Sequence, residues 1–418
     1  MRVLLAARDL PWPPNNGGRQ RTFAILRALA RRHEVTLTVP GSIQEEAELP
    51  EGLAGLVQRI IPASPDANRR LPWPSGSRTR RLGGFLNDVL KTSIPYNYRM
   101  QSIEYTRLLR PEIAGFDAVF CRSTPMISIL DGWPRNRIVL DADDLYYRGL
   151  ARQVRLRTHG WGTPLVAMEA CRTYVHESRL LRGVAQALVS TEADLARIHC
   201  RRKSVLANGI DLPDLHGWPL QPRPNTIVFV GTASYDPNTD GLRWFLSRVW
   251  PLLRCRSPEV ELKIVGRDAN LETLPFASVD GVELVANVEE TSPYIMAASL
   301  SIVPLLNGMG TRIKIAESLA HGRAVVSTTI GAEGYDGVEE CHGLIRADRP
   351  EAMADRISRL LADPEGCLAL GRVGRSVAEA RFTWESITAN LASDIERWVE
   401  AAGGLRSVPP GARPEGEL

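Results

Sequence analysis

The chain has 418 residues, 44% of them hydrophobic and 24% charged, with a formal net charge of +3. A single core rarely grows beyond about 250–300 residues, so two domains are expected, and the composition excludes a wholly disordered chain. The charge is too small to imply a nucleic-acid partner, and no stretch approaches the roughly 20 apolar residues of a membrane span.

The opening run Val3 to Ala6 is cut short by Arg8, so it reads as a first strand and is too short for a signal peptide. Phe23, Leu26, Leu29 and Ala30 then recur at helical spacing, and Glu34 to Val39 is β-rich. Further strands are expected at 57–61, 117–120, 137–140, 187–189 and 204–207, with helices over 164–181 and 192–200. Six cysteines stand at 121, 171, 200, 255, 341 and 367, with no C-x-x-C pair. That argues against zinc and suits a reducing, cytoplasmic setting in which any membrane contact is peripheral.

A proline-rich stretch over 213–225 reads as a linker, after which the rhythm restarts. Strands are expected at 227–230, 261–265, 282–285, 300–303 and 324–327. Helices fit 242–253, 292–298, 313–320, 351–361, 367–380 and 386–401. Strand alternating with helix predicts parallel doubly wound sheets, hence an α/β chain of two Rossmann-like halves. The expected units are 1–212, a linker 213–225, 226–384, a C-terminal helix over 385–401 that crosses back to the first half, and a frayed tail 402–418.

Residues 69–99 hold seven Arg or Lys against one Asp, interleaved with Trp73, Phe85, Tyr96 and Tyr98. Two readings stand open: a solvated excursion between strands, or a lid that touches an anionic or lipid-linked acceptor at a membrane surface.

The most informative stretch runs from Pro304 to Ala320. A strand ends, a loop with Gly308 and Gly310 follows, and a helix begins. The first turn of a helix offers unpaired amides and partial positive charge, a ready anion site. The two glycines let phosphate oxygens approach the backbone, Thr311 is placed to cap the helix, and Arg312 adds a cation. At 100° per residue, Ile313, Ile315, Ala316, Leu319 and Ala320 face the core, while Lys314 and Glu317 face away. Glu317 sits one turn in, at a depth where a carboxylate can accept from two ribose hydroxyls. The competing reading is a surface ion pair between Lys314 and Glu317.

The run Gly308-x-Gly310-Thr311-Arg312-x-Lys314-x-x-Glu317, with Gly322, 325–327 and 331–334, resembles the C-terminal domain of family 4 glycosyltransferases of the GT-B fold. Gly231, 235–238, Asp240, 244–245, 265–266, Tyr294 and 382–384 match the same branch. The resemblance implies two Rossmann-like domains facing a central cleft and a retaining transfer from a nucleotide-diphosphate sugar to a hydroxyl. The acceptor would be a sugar, a lipid-linked molecule or another hydroxyl compound, in exopolysaccharide or lipopolysaccharide assembly. It implies no metal and no cofactor. Glu317 corresponds to the second acid of the family's Glu-x7-Glu motif, and Met309 stands where the first would be. Gly231 joins the donor site, and Arg312 or Lys314 takes up diphosphate charge.

In the first half, Gly17 and Gly18 follow a proline-stiffened loop. On their own they read equally as a tight turn or a phosphate or sugar site; the resemblance places them facing donor and acceptor across the cleft. Asp141, Asp143 and Asp144 follow a strand, where catalytic groups gather. Asp143 is the candidate to contact the transferred sugar or acceptor, against the alternative that these aspartates only cap a loop. Met309 in place of an acid leaves open a non-catalytic donor-binding subunit. A nucleotide-sugar epimerase shares the architecture. A nicotinamide enzyme is disfavoured, because no G-x-G-x-x-G follows either first strand.

Overall fold

The computed structural model describes residues 1–39, 49–62, 95, 98, 106, 109–130, 132–156, 163–216, 222–232, 235–266, 279–307 and 311–403. Gly308, Met309 and Gly310 lie outside the described residues, as does all of the basic stretch 69–99 except Pro95 and Tyr98.

Seven strands form the first sheet: β1 (Arg2–Ala6), β2 (Glu34–Val39), β3 (Arg59–Pro62), β4 (Ala118–Arg122), β5 (Ile138–Asp141), β6 (Gln186–Val189) and β7 (Lys203–Val205). Their order is β3-β2-β1-β4-β5-β6-β7, and every pair is parallel. A parallel sheet is covered on both faces, which explains the unbroken apolar run of β1. Successive side chains alternate sides: Val3, Leu5 and Ala7 join one apolar cluster, and Leu4 and Ala6 the other.

Six strands form the second sheet: β8 (Thr226–Val230), β9 (Glu261–Gly266), β10 (Val282–Ala286), β11 (Leu300–Val303), β12 (Ala324–Ser327) and β13 (Leu344–Arg346), in the order β10-β9-β8-β11-β12-β13. Both sheets reverse direction of winding beside their first strand, between β1 and β4 and between β8 and β11. Ligands of doubly wound sheets bind at the carboxyl ends of strands beside such reversals.

Some helices differ from the sequence reading. The helix expected over 242–253 begins at Asp236, with Pro237 in its first turn, and passes through a π-helical turn at Phe245–Val249 before continuing over Trp250–Arg256. The helix expected over 192–200 ends at Leu195. A helix at Tyr146–Leu156 was not singled out in the sequence reading.

The end of the chain is split into Trp384–Thr388 and Leu391–Ala401. In the latter, Leu391, Ile395 and Val399 recur every four residues and are buried with Val3, Leu5, Ile25 and Leu29 of the first domain. Burying side chains of this size contributes roughly 1.5–3 kcal/mol each. The chain's two crossings between domains run side by side: the Ile210 amide donates to Phe382 O at 2.9 Å, and the Trp384 amide to Ile210 O at 3.0 Å. A side chain at Gly209 would meet the Trp384 amide nitrogen at 2.9 Å, so glycine is needed there for close approach.

Of the four aromatic residues named in 69–99, Tyr98 is the described one, and it does not serve a surface lid. Its ring is fully buried, and its hydroxyl donates to Glu177 and meets Thr124 Oγ1 at 2.7 Å. It packs edge-on against Tyr146 and His176, so it serves the core of the first domain. No described helix is long and apolar enough to cross a membrane. All six cysteines are free thiols.

Candidate active site

The first-domain half of the site is built on Asp141, at the carboxyl end of β5. Its carboxylate is fully buried and receives Arg21 through Nε at 2.9 Å and Nη2 at 2.8 Å, and Arg122 through Nη1 at 2.8 Å. Arg21 also donates to Leu206 O, Ala207 O and Asn208 Oδ1, so all five of its N–H donors are used. Burial alone would push the Asp141 pKa up. The two guanidinium groups overcome this and hold it below the usual carboxylate value.

Arg122 continues from this hub to Asp143, whose Oδ2 lies 3.0 Å from Nη1. The Asp141 and Asp143 carboxylates are thus occupied by guanidinium groups. Asp143 keeps 21% of its side chain exposed, and its backbone carbonyl accepts from Ser190 Oγ at 2.7 Å. Its neighbour Asp144 was not singled out by sequence reasoning. No hydrogen bond or ion pair holds Asp144 among the described residues. Burial, and then the Asp143 charge, raise its pKa to about 7, against the pull of Arg312 and Arg122. Both aspartates line a cavity of about 170 Å³ with Arg8, Asp9, Gly18, Arg19, Thr22, Arg122, Ser123 and Tyr146.

The second-domain half centres on the helix Ile313–Ala320, whose start and end match the sequence reading. Ile315, Ala316, Leu319 and Ala320 are buried in the core, and Lys314 and Glu317 are half-buried on the other side of the helix. Thr311 does not cap the helix. Arg312 occupies the N-cap position without capping it through its side chain, and the Thr311 hydroxyl donates to Ser190 O of the first domain at 3.1 Å. The cap is lost because the hydroxyl is drawn across the interface.

The Lys314 ammonium donates to Asn238 Oδ1 at 2.8 Å and lies 4.1 Å from the centroid of the Phe229 ring. Its deep position, and then repulsion from Arg312, lower its pKa to about 7. Glu317 has no ion pair or side-chain hydrogen bond to any described residue. Burial raises its pKa, with Lys314 opposing. Gly231, just past β8, lies against this group: a Cβ there would sit 2.8 Å from Lys314 Nζ and 2.9 Å from Asn238 Nδ2. The Arg312 side chain is buried. Burial and the nearby Arg152 lower its pKa, while Tyr235, Glu333 and Asp144 oppose.

The halves touch at three further points. A Cβ on Gly17 would lie 2.8 Å from Ile313 Cδ1, so the glycine opening the first-domain helix meets the residue opening the second-domain helix. Arg148 and Arg152 both grip Glu333, and Arg148 also holds Asp194. Gly334, at φ 94°, fits between Thr311 and Thr191, where a Cβ would meet them at 3.0 and 3.1 Å. The structure thus places Gly17, Gly18, Asp143, Thr311 and Arg312 near where the domains meet, and Gly231 and Glu317 beside Lys314 at the end of β8.

Residues 224–363 match the family model of glycosyl transferases group 1. That span contains every strand of the second sheet. Over 364 residues the chain is 22% identical to an "Uncharacterized 44.6 kDa protein in cps region" of Klebsiella pneumoniae, covering 80% of this chain and 84% of that one. Sucrose-phosphate synthase from Thermosynechococcus elongatus superimposes with a TM-score of 0.67 at 16% identity, over 96% of this chain and 100% of that one. TarM of S. aureus, solved with Fondaparinux, alpha-GlcNAc-glycerol and UDP, gives a TM-score of 0.62 at 10% identity, over 94% and 99%. At these identities the structural likenesses speak to fold, and the fold is GT-B: two parallel-sheet α/β domains.

Sequence reasoning gave no role to Asn238, Arg122 or Glu333, and named Asp144 only as one of the aspartates after the strand. A signal for Asn238 was available, because it falls in the 235–238 run that carries part of the resemblance.

Proposed function

We propose that this chain is a retaining glycosyltransferase. It moves a sugar from a nucleotide-diphosphate donor held by the second domain to a hydroxyl of an acceptor saccharide held by the first, in the assembly of a polysaccharide. One observation carries the reading: Glu317 stands one turn inside the helix after β11, beside Lys314, with no ion pair or side-chain hydrogen bond among the described residues. The group 1 match over this domain and the relative named for a cps region support it, as does the UDP named with TarM.

In this reading Glu317 accepts from the donor ribose. Arg312, Lys314 and the amides at the start of their helix stabilise charge on the departing diphosphate. Gly231 leaves room for that group. Closure of the cleft through Gly17, Thr311 and the Glu333 clamp excludes water and aligns the acceptor hydroxyl. A donor phosphate oxygen takes the acceptor proton on the same face, so the transfer retains configuration and needs no protein base, metal or cofactor.

Thermal shift with UDP, GDP, ADP and dTDP sugars tests the donor assignment, because a ligand of the folded state raises its apparent stability by mass action. One nucleotide series is expected to raise the midpoint, and its sugar to be consumed with a saccharide acceptor, giving a product of unchanged anomeric configuration by proton NMR. No shift with any of the four would overturn the reading. Binding without turnover would make the chain a donor-binding subunit, and a changed sugar with donor alone would make it an epimerase.

A further inference from the structure

We propose that the cavity at the carboxyl end of the first sheet recognises an acid group on the acceptor saccharide, a uronate carboxylate or a sugar phosphate, held between Arg8 and Arg19. This rests on the acceptor half of the function proposed above and narrows its substrate class.

The charges around the cavity sort into two sets. Arg21 and Arg122 are matched by Asp141 and Asp143 in the buried hub. Arg8 and Arg19 remain, together with Asp9 and Asp144. Arg8 has no hydrogen bond or ion pair among the described residues. Arg19 donates from its side chain only to Asn15 Oδ1, at 3.4 Å. Asp9 is exposed and can be solvated by water. Asp144 titrates near neutrality, where its protonated form donates a hydrogen bond to an anion.

Other polar groups of the lining are already engaged: Thr22 Oγ1 donates to Gly18 O and accepts from Arg122 Nε. The helix Gly17–Ala30 opens onto the cavity with no acidic residue in its first turn, so its unpaired first amides add positive potential. Ser123 completes the rim at φ 79°, in the left-handed region. About 170 Å³ corresponds to roughly six waters at ~30 Å³ each, the scale of one sugar unit. With Asp9 exposed to solvent and the Asp144 pKa raised to about 7, a neutral sugar would leave the two guanidinium groups only partly neutralised. An acid group supplies one and accepts forked hydrogen bonds from both.

The test titrates the full chain with methyl β-D-glucuronide, glucose-6-phosphate, methyl glucoside and inorganic phosphate by ligand-observed NMR, with parallel titrations of UDP, GDP, ADP and dTDP. One charged sugar is expected to bind about tenfold or more tighter than methyl glucoside, and which one does so separates the carboxylate from the phosphate. Arg8→Gln and Arg19→Gln should each erase that preference. Equal binding of methyl glucoside, a preference that survives both substitutions, or inorganic phosphate binding as tightly as the sugar phosphate would each overturn the proposal. Nucleotide binding without any charged-sugar preference removes this inference and leaves the donor reading standing, whereas failure of UDP, GDP, ADP and dTDP alike counts against the donor reading.

Discussion

Lys314 and Glu317 stand three residues apart on one helix, and no ion pair joins them. Lys314 is drawn instead to Asn238 Oδ1 at 2.8 Å and to the Phe229 ring. The surface-pair alternative for these residues is therefore replaced by two separate charges, Lys314 resting on the β8 end and Glu317 without an ion pair among the described residues.

Glu317→Gln preserves the size of the side chain and removes its charge. A hydrogen bond to a charged group is worth about 1.5–3 kcal/mol, so nucleotide affinity is expected to fall about tenfold to a hundredfold. Calorimetry with a nucleoside diphosphate and its 2′-deoxy analogue checks the role directly. The wild type should prefer the ribose form, and the variant should bind both alike. A variant that still discriminates would mean that another group reads the ribose.

Lys314 gives a pH signature. Its ammonium loses its proton near pH 7 in the folded chain, against an ordinary value of 10.5. Between those values the unfolded chain binds more protons, so this group makes the free protein more stable as pH rises from about 7 toward 10.5. A bound diphosphate reverses the balance by favouring the charged amine. Nucleotide binding near pH 8 is expected to take up a proton, measured by calorimetry in buffers of different ionisation heat. Lys314→Met should abolish the uptake and flatten the stability slope. Uptake that persists in the variant would assign the proton elsewhere.

Much of the fold was legible because parallel strands write continuous apolar runs and amphipathic helices write a period of 3.6. The helix Ile313–Ala320 was bounded to the residue, since a glycine loop precedes it and Gly322 follows. Glu317 was legible for the same reason, through the face it occupies. What could not be read was long-range pairing. Arg21 and Asp141 lie 120 positions apart, and nothing local to either announces the other. Thr311 carried the local chemistry of a cap, but a carbonyl 121 positions earlier competes for its hydroxyl. Tyr98 sits among basic residues, so its local composition suggested a surface while the Glu177 carboxylate took it into the core.

Gly17 and Ile313 govern how closely the domains approach. A Cβ at position 17 would lie 2.8 Å from Ile313 Cδ1, the end of a side chain that can turn aside for one methyl group, whereas a branched side chain needs more room than that turn provides. Gly17→Val is expected to hold the cleft open. Small-angle scattering should show a larger radius of gyration, and turnover should fall about tenfold or more, since misplacement by about 1 Å costs on that order. Ile313→Ala in the same chain removes the opposing methyl group and should restore both. If the double variant stays open, the defect lies in the Gly17 turn and not in the contact.

Asp141 is the counter-charge shared by two buried guanidinium groups, of which Arg122 also reaches Asp143. Asp141→Asn keeps the shape of the side chain and leaves Arg21 and Arg122 underneutralised, the situation in which breaking a buried pair costs about 3–5 kcal/mol. Urea unfolding followed by a probe in the first domain should register a loss of that order, with nucleotide binding by the second domain retained. The acid limb adds a second check. The folded pKa of Asp141 is held below its ordinary 3.8, so the stabilisation is complete above that value and is lost as pH falls through the lower folded value. The variant should therefore have a flatter acid limb than the wild type. An unchanged urea midpoint would show that Asp143 alone suffices as the counter-charge, and that the hub is less dependent on Asp141 than its five-donor partner Arg21 implies.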